Sequence, residues 1–303
     1  MGSVPQILPN PLAQGRADVR VWDAPRPLAL WHLASLDAPT VAVVWTLGFA
    51  WAAGVRLPAW VPILIALAVW AVYIADRLLD ARAAPRMGAT HRLHERHRFH
   101  WLHRGILAPL AVAAACAAAV LIAVFMPPGT LAKNSVLAAA ALLYFTRVHT
   151  GLKPPTRMGR LLAALLSKEL LVGLLFTAGC VLPAFSRAAA NPGEPLWPLT
   201  TVAVCFALLA WLNCHAIDRW ESREESPAAA QIFAPAGLLV FAAITLAAVL
   251  FPLHPRFCAL AAAGAAGALL LALLDRLRNR LTPLAVRAAA DLVLLTPLAL
   301  LLR

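Results

Sequence analysis

The sequence predicts an all-α, polytopic membrane protein, and three observations carry that prediction. Of its 303 residues 62% are hydrophobic and 13% charged, with a mean hydropathy of +0.76, which is far more apolar than a soluble domain. The apolar residues gather into nine windows, each near the roughly 20 residues that a bilayer core about 30 Å thick demands of a helix. The basic residues, finally, fall on one side of those windows.

Residues 1–30 are polar and rich in Pro and Arg. They lack an apolar stretch followed by a small-residue cleavage site, so they are read as a cytoplasmic tail and not as a signal peptide. One transmembrane domain, residues 31–303, follows. Its spans fall at about 36–55, 58–75, 106–126, 131–148, 161–185, 196–217, 231–252, 257–274 and 283–302. Pro, Gly or charge punctuates the boundaries, among them Pro58, Gly105, Pro127, Pro154, Pro192, Pro227 and Pro283. Only FPLHP separates the seventh span from the eighth. Cys116, Cys180, Cys205, Cys214 and Cys258 all lie inside spans without metal-like spacing, as small buried hydrophobes do.

Nine spans put the N-terminus and the loops after spans 2, 4, 6 and 8 on one side. Those segments, counted with the span ends that adjoin them, hold 20 of the 26 Lys and Arg, the other side holds five, and Lys168 lies deeper within a span. The positive-inside rule makes the rich side cytoplasmic. It also accounts for the +12 net charge without nucleic acid as a partner. An integral protein of the inner or plasma membrane is expected, with the lipid bilayer as its surroundings.

The acids are scarce, and two groups stand out among the fourteen. Asp76 and Asp80 end span 2, four residues apart and so on one helical face. Asp218, Glu221, Glu224 and Glu225 end span 6, where 218, 221 and 225 follow i, i+3, i+7 spacing. Both groups emerge on the same side. Hard oxygen ligands at such spacing suit Mg2+ shared with a substrate's phosphates. Arg77, Arg82, Arg86, Arg92, Arg96, Arg98 and Arg104 accompany the first group and suit a phosphate-bearing ligand. The plainer account is an ordinary basic flank and a salt-bridged loop.

On these residues the chain resembles the UbiA-type intramembrane prenyltransferases. VYIADRLLD keeps the last two acids of that family's N-D-x-x-D-x-x-x-D motif, as Asp76 and Asp80, with Arg77 between them. Val72 and Tyr73 replace its opening Asn-Asp. DRWES offers Asp218 of the second motif, with Glu221 one position early and Ser222 where the last acid belongs; Asn213 lies upstream. The resemblance implies a nine-helix bundle around a central cavity open to the cytoplasm, covered by cap loops at about 80–104 and 218–230. It implies that Asp76, Asp80, Asp218, Glu221 and Glu225 hold Mg2+ against an isoprenyl diphosphate, and that the prenyl group passes to an acceptor or cyclises.

Other residues join this expectation. Lys168-Glu169 puts charge inside span 5, which is costly and tends to be functional; Lys168 is expected on the diphosphate, with Arg77, Arg82, Arg147 and Arg219. Trp70, Tyr73, Tyr144, Phe176, Trp211 and Asn213 are expected to line the prenyl pocket, where an aromatic face can stabilise a cation. Asp37 and Asp291 lie near cytoplasmic span ends, and Arg287, four residues before Asp291, suggests a local ion pair. His91, His94, His97, His100 and His103 recur every third residue, a step that cannot bring all five to one point on a helix. A basic cap helix describes them better than a metal site. The mechanism expected is ionisation of the diphosphate, either for prenyl transfer or for terpene cyclisation. A transporter or non-catalytic membrane protein is the alternative, though no inverted repeat is visible, and the acceptor pocket has no motif.

Overall fold

The computed structural model describes residues 22–83, 95–150, 168–190, 195–221 and 232–302. Their regular elements are helices, joined by short turns. Helices α1 (Arg26–Leu33), α2 (Asp37–Ala52), α3 (Trp60–Ala83) and α4 (Glu95–Leu102) come first. After them run α5 (Arg104–Phe125), α6 (Pro128–Thr150), α7 (Lys168–Ala188), α8 (Trp197–Glu221), α9 (Phe233–Leu250) and α10 (Pro255–Leu277). The C-terminal part is broken into α11 (Pro283–Leu292), a 3-10 turn at Val293–Leu295 and α12 (Leu298–Leu301).

Six of the described helices, α3, α5, α7, α8, α9 and α10, are long and apolar enough to cross a membrane. A seventh is reached if α1 and α2, which meet at 87°, count as one bent span. At the expected fourth span, α6 is helical but carries Lys133, Asn134 and Arg147 and is not among the six. At the expected ninth, the chain breaks at the 3-10 turn. Exposed apolar residues on α5 (Ile106, Val112, Val120, Val124) and α9 (Leu238, Phe241, Val249) suit a lipid surround, where such residues need no cover.

Neighbours pair α3 with α5, α7 with α8 and α9 with α10, while α2 packs between α3 and α7. The main core joins α2, α7, α8 and α10. Trp45 of α2 stacks on Phe206 of α8, centroids 3.8 Å apart, and Phe49 meets Phe206 edge-on at 5.9 Å. Small residues let the helices close: Ala261, Gly264, Ala265 and Ala268 on α10 are buried, as membrane helix interfaces favour. At Gly173 of α7 an added Cβ would stand 2.9 Å from the backbone nitrogen of Trp211. Only glycine permits that approach. A smaller cluster of Ile74, Leu107 and Ala111 joins α3 to α5, with Phe99 of α4 against it.

Residues that the sequence places in or beside the tail are packed onto the bundle. Trp22 pairs with the segment after α10, its N–H donating to the Arg280 carbonyl at 2.8 Å and its carbonyl accepting from Thr282 at 2.9 Å.

Candidate functional site

The elbow between α1 and α2 builds one wall of the site. Ser35 turns the chain with φ of 54°, a left-handed conformation that costs a non-glycine residue energy. Two side chains from other helices hold it there. Trp70 Nε1 of α3 donates to the Ala34 carbonyl at 2.9 Å, and His100 Nε2 of α4 lies 3.2 Å from Ser35 Oγ. Ser35 and His100 are both buried. The elbow carries His32 on one arm and Asp37 on the other, and brings them together.

His32 Nδ1 stands 2.7 Å from Asp37 Oδ2 and 3.3 Å from Asp291 Oδ2. The two carboxylates are held by their other oxygens. Asp37 Oδ1 accepts from the Ala38 N–H at 2.8 Å, and Asp291 Oδ1 from Asn213 Nδ2 at 3.2 Å. His32 Nδ1 is thus engaged by both carboxylates, whereas Asn213 Oδ1 is buried without a hydrogen-bond partner among the described residues. His32, Asp37 and Asn213 are each nine-tenths or more buried. A buried polar atom without a partner costs about 1–3 kcal/mol, so Asn213 Oδ1 stands out.

The cluster borders a cavity of about 260 Å3 between α2, α3, α7, α8 and α11. Arg77, Lys168, Glu169, Asp218 and Arg287 add charge to its lining. Apolar lining comes from Val41, Val172, Phe176 and Leu294, beside Tyr73 and Cys214. The charges sit at the helix ends and the apolar residues deeper. Phe176 is eight residues beyond Lys168 on α7, which is about 12 Å along the axis. Arg77 lies 6.0 Å from the Tyr73 ring centroid, on the same helical face.

The cavity thus gathers Tyr73, Arg77, Lys168, Phe176, Asn213 and Asp218 of the residues singled out from the sequence. Asp76, Asp80 and Arg82 of the first motif do not line it; Asp76 and Asp80 have partners of their own. Trp70 is spent on the elbow, Trp211 stacks on His215 at 5.3 Å, and Arg219 is exposed. Glu225 lies outside the described residues, as do the side chains of Tyr144, Arg147 and Glu221. Trp220, inside the second motif, turns the other way and donates to Asp275 Oδ1 of α10 at 2.8 Å. Of the five acids expected to hold Mg2+, Asp218 alone borders the cavity among the described side chains. The His32 cluster includes an imidazole nitrogen, whereas Mg2+ demands an oxygen shell. Among the described side chains, then, one acid of the expected Mg2+ set reaches the cavity.

His32 escaped the sequence reading altogether, and Asp291 was read as a local partner of Arg287. The available signal was a pair of in-span acids, Asp37 and Asp291, with a His five residues before the first. No protein-family model, curated protein or solved structure matches the chain.

Proposed function

We propose that the protein is an intramembrane enzyme that binds an isoprenyl diphosphate in this cavity and ionises it, passing the prenyl group to an acceptor. One observation carries the reading: Arg77 and Lys168 stand at the charged end of a cavity whose deeper lining is Phe176, Val172, Val41 and Leu294. That division suits an anionic head and an apolar tail. The two cations offset charge that develops on the departing pyrophosphate. The rings of Tyr73 and Phe176 offer π faces to an allylic cation. The resemblance to UbiA-type prenyltransferases supports the same reaction class through Asp218, the acid of those motifs that borders the cavity among the described side chains. The charged end is assigned to the cytoplasm on the 20-to-5 division of Lys and Arg. Cysteines introduced at Arg280 and Leu253, at opposite ends of α10, should then label from opposite faces.

The test is incubation of the full chain in lipid nanodiscs with C10 to C20 prenyl diphosphates, with and without Mg2+. Pyrophosphate release and mass spectrometry of the lipid extract are the readouts. Release that falls more than about tenfold in Lys168→Ala, the scale of a lost charge-assisted bond, supports the proposal. A cyclic hydrocarbon as product replaces transfer by cyclisation. No release with any chain length, from a folded protein, overturns the reading in favour of a transporter or structural protein.

A further inference from the structure

We infer that His32, Asp37 and Asp291 form a binding site for one divalent transition-metal ion, of the Zn2+ class, beside the cavity. Three features of the cluster carry the inference. The donor set is one imidazole nitrogen and two carboxylate oxygens, the mixture that zinc accepts with three protein ligands and an open position. The three donor atoms lie within 4.8 Å of one another, with Nδ1 at 2.7 and 3.3 Å from the two oxygens. Bonds of about 2.0–2.2 Å place neighbouring ligands roughly 2.9–3.4 Å apart in octahedral or tetrahedral arrangements. A small adjustment therefore admits an ion.

The second feature is how the carboxylates are held. Each Oδ1 is fixed by a hydrogen bond, from the Ala38 N–H to Asp37 and from Asn213 to Asp291, while each Oδ2 stands near the same imidazole nitrogen. Outer hydrogen bonds of this kind orient metal ligands. The third is independent of the cluster's composition. Asn213 Oδ1 is buried without a hydrogen-bond partner among the described residues, and Asn213 lines the same cavity. The water on the ion's open position would engage it. A divalent ion and the two aspartates balance in charge by themselves. The inference does not depend on prenyl chemistry, because the binding test below contains no prenyl substrate.

Co2+ is the probe, because its visible absorption reports ligand type and geometry. The full chain in detergent, stripped with chelator, should bind one Co2+ per molecule with a visible band that Zn2+ abolishes and Mg2+ does not. His32→Ala should weaken binding by more than the roughly 10- to 100-fold typical of an outer-shell partner. Asn213→Ala, which keeps all three ligands, should weaken it within that 10- to 100-fold range. The cap-loop variant His94→Ala/His97→Ala should bind as the wild type does. The wild-type titration needs no variant to fold, and it decides first. If the folded wild type binds no Co2+, or if His32→Ala binds equally well while the cap-loop variant loses the ion, the proposal falls. The cluster is then an imidazolium held between two aspartates.

Discussion

Trp45 Nε1 donates to the backbone carbonyl of Leu294 at 2.9 Å, a bond between residues 249 positions apart in the chain. It ties α2 to the 3-10 turn that interrupts the C-terminal helical run. Asp37 lies two turns before Trp45 on α2, and Asp291 three residues before Leu294. The bond therefore fixes the spacing of the two carboxylates that meet at His32.

Trp45→Phe should remove this donor and keep much of the ring's contact with Phe206. A buried carbonyl left without a partner costs about 1–3 kcal/mol, so stability should fall by that amount. Thermal unfolding in detergent reads it, and an unchanged midpoint would mean that the Leu294 carbonyl finds another donor.

Gly173→Ala tests the approach of α7 to α8. The new Cβ would meet Trp211 N at 2.9 Å and Ala207 O at 3.0 Å, both backbone atoms that cannot rotate away. Alanine gains up to about 1 kcal/mol in helix propensity, whereas forcing atoms into a packed interface costs about 1–3 kcal/mol. The net effect should be destabilising, together with a shift of Asn213 and Cys214, which follow Trp211 in the cavity wall. A more stable Gly173→Ala protein would show that these helices sit further apart.

The elbow gives a third expectation. At φ of 54°, Ser35→Gly relieves backbone strain but gives up the contact with His100. These effects oppose each other at about 1 kcal/mol apiece, so stability should change little. Ser35→Val adds a branched side chain in the left-handed region and loses the contact as well. It should cost at least about 2 kcal/mol more than Ser35→Gly. Equal stabilities for the two variants would argue against this backbone conformation.

The helical, apolar character and most helix positions were legible because hydropathy acts locally and over long windows. Lys168 and Asp218 were legible for a related reason, since charge at a span end is rare enough to notice. The elbow was not. ALWHLASLD contains neither Pro nor Gly to mark a turn, and Ser35 adopts its conformation under contacts from Trp70 and His100, 35 and 65 residues away. His32 consequently looked like part of a polar margin. The i, i+4 spacing of Arg287 and Asp291 is visible in sequence, whereas the further neighbours of Asp291, His32 and Asn213, come from distant segments. The first motif was legible as a pattern, but not in which of its residues face the cavity. Its acids were assigned to the cavity by their pattern, yet Tyr73 and Arg77 are the residues of that stretch that line it.

That last difference can be decided by binding alone. If the diphosphate sits in the cavity, Arg77 is within its reach and Asp80, almost a turn further along α3, is not. A hydrogen bond to a charged group is worth about 1.5–3 kcal/mol, so Arg77→Ala should weaken binding of inorganic pyrophosphate by roughly 10- to 150-fold. Asp80→Ala removes a negative charge near the basic end, which slightly favours an anion. Its affinity should stay within about threefold of wild type, the scale of a partly exposed charge's influence near a protein surface. Isothermal titration calorimetry of the two variants with pyrophosphate, each with and without Mg2+, makes the comparison. A large loss in Asp80→Ala that appears only with Mg2+, beside an unaffected Arg77→Ala, would return the site to the acidic motif. The cavity lined by Arg77 and Lys168 would then have to serve another ligand.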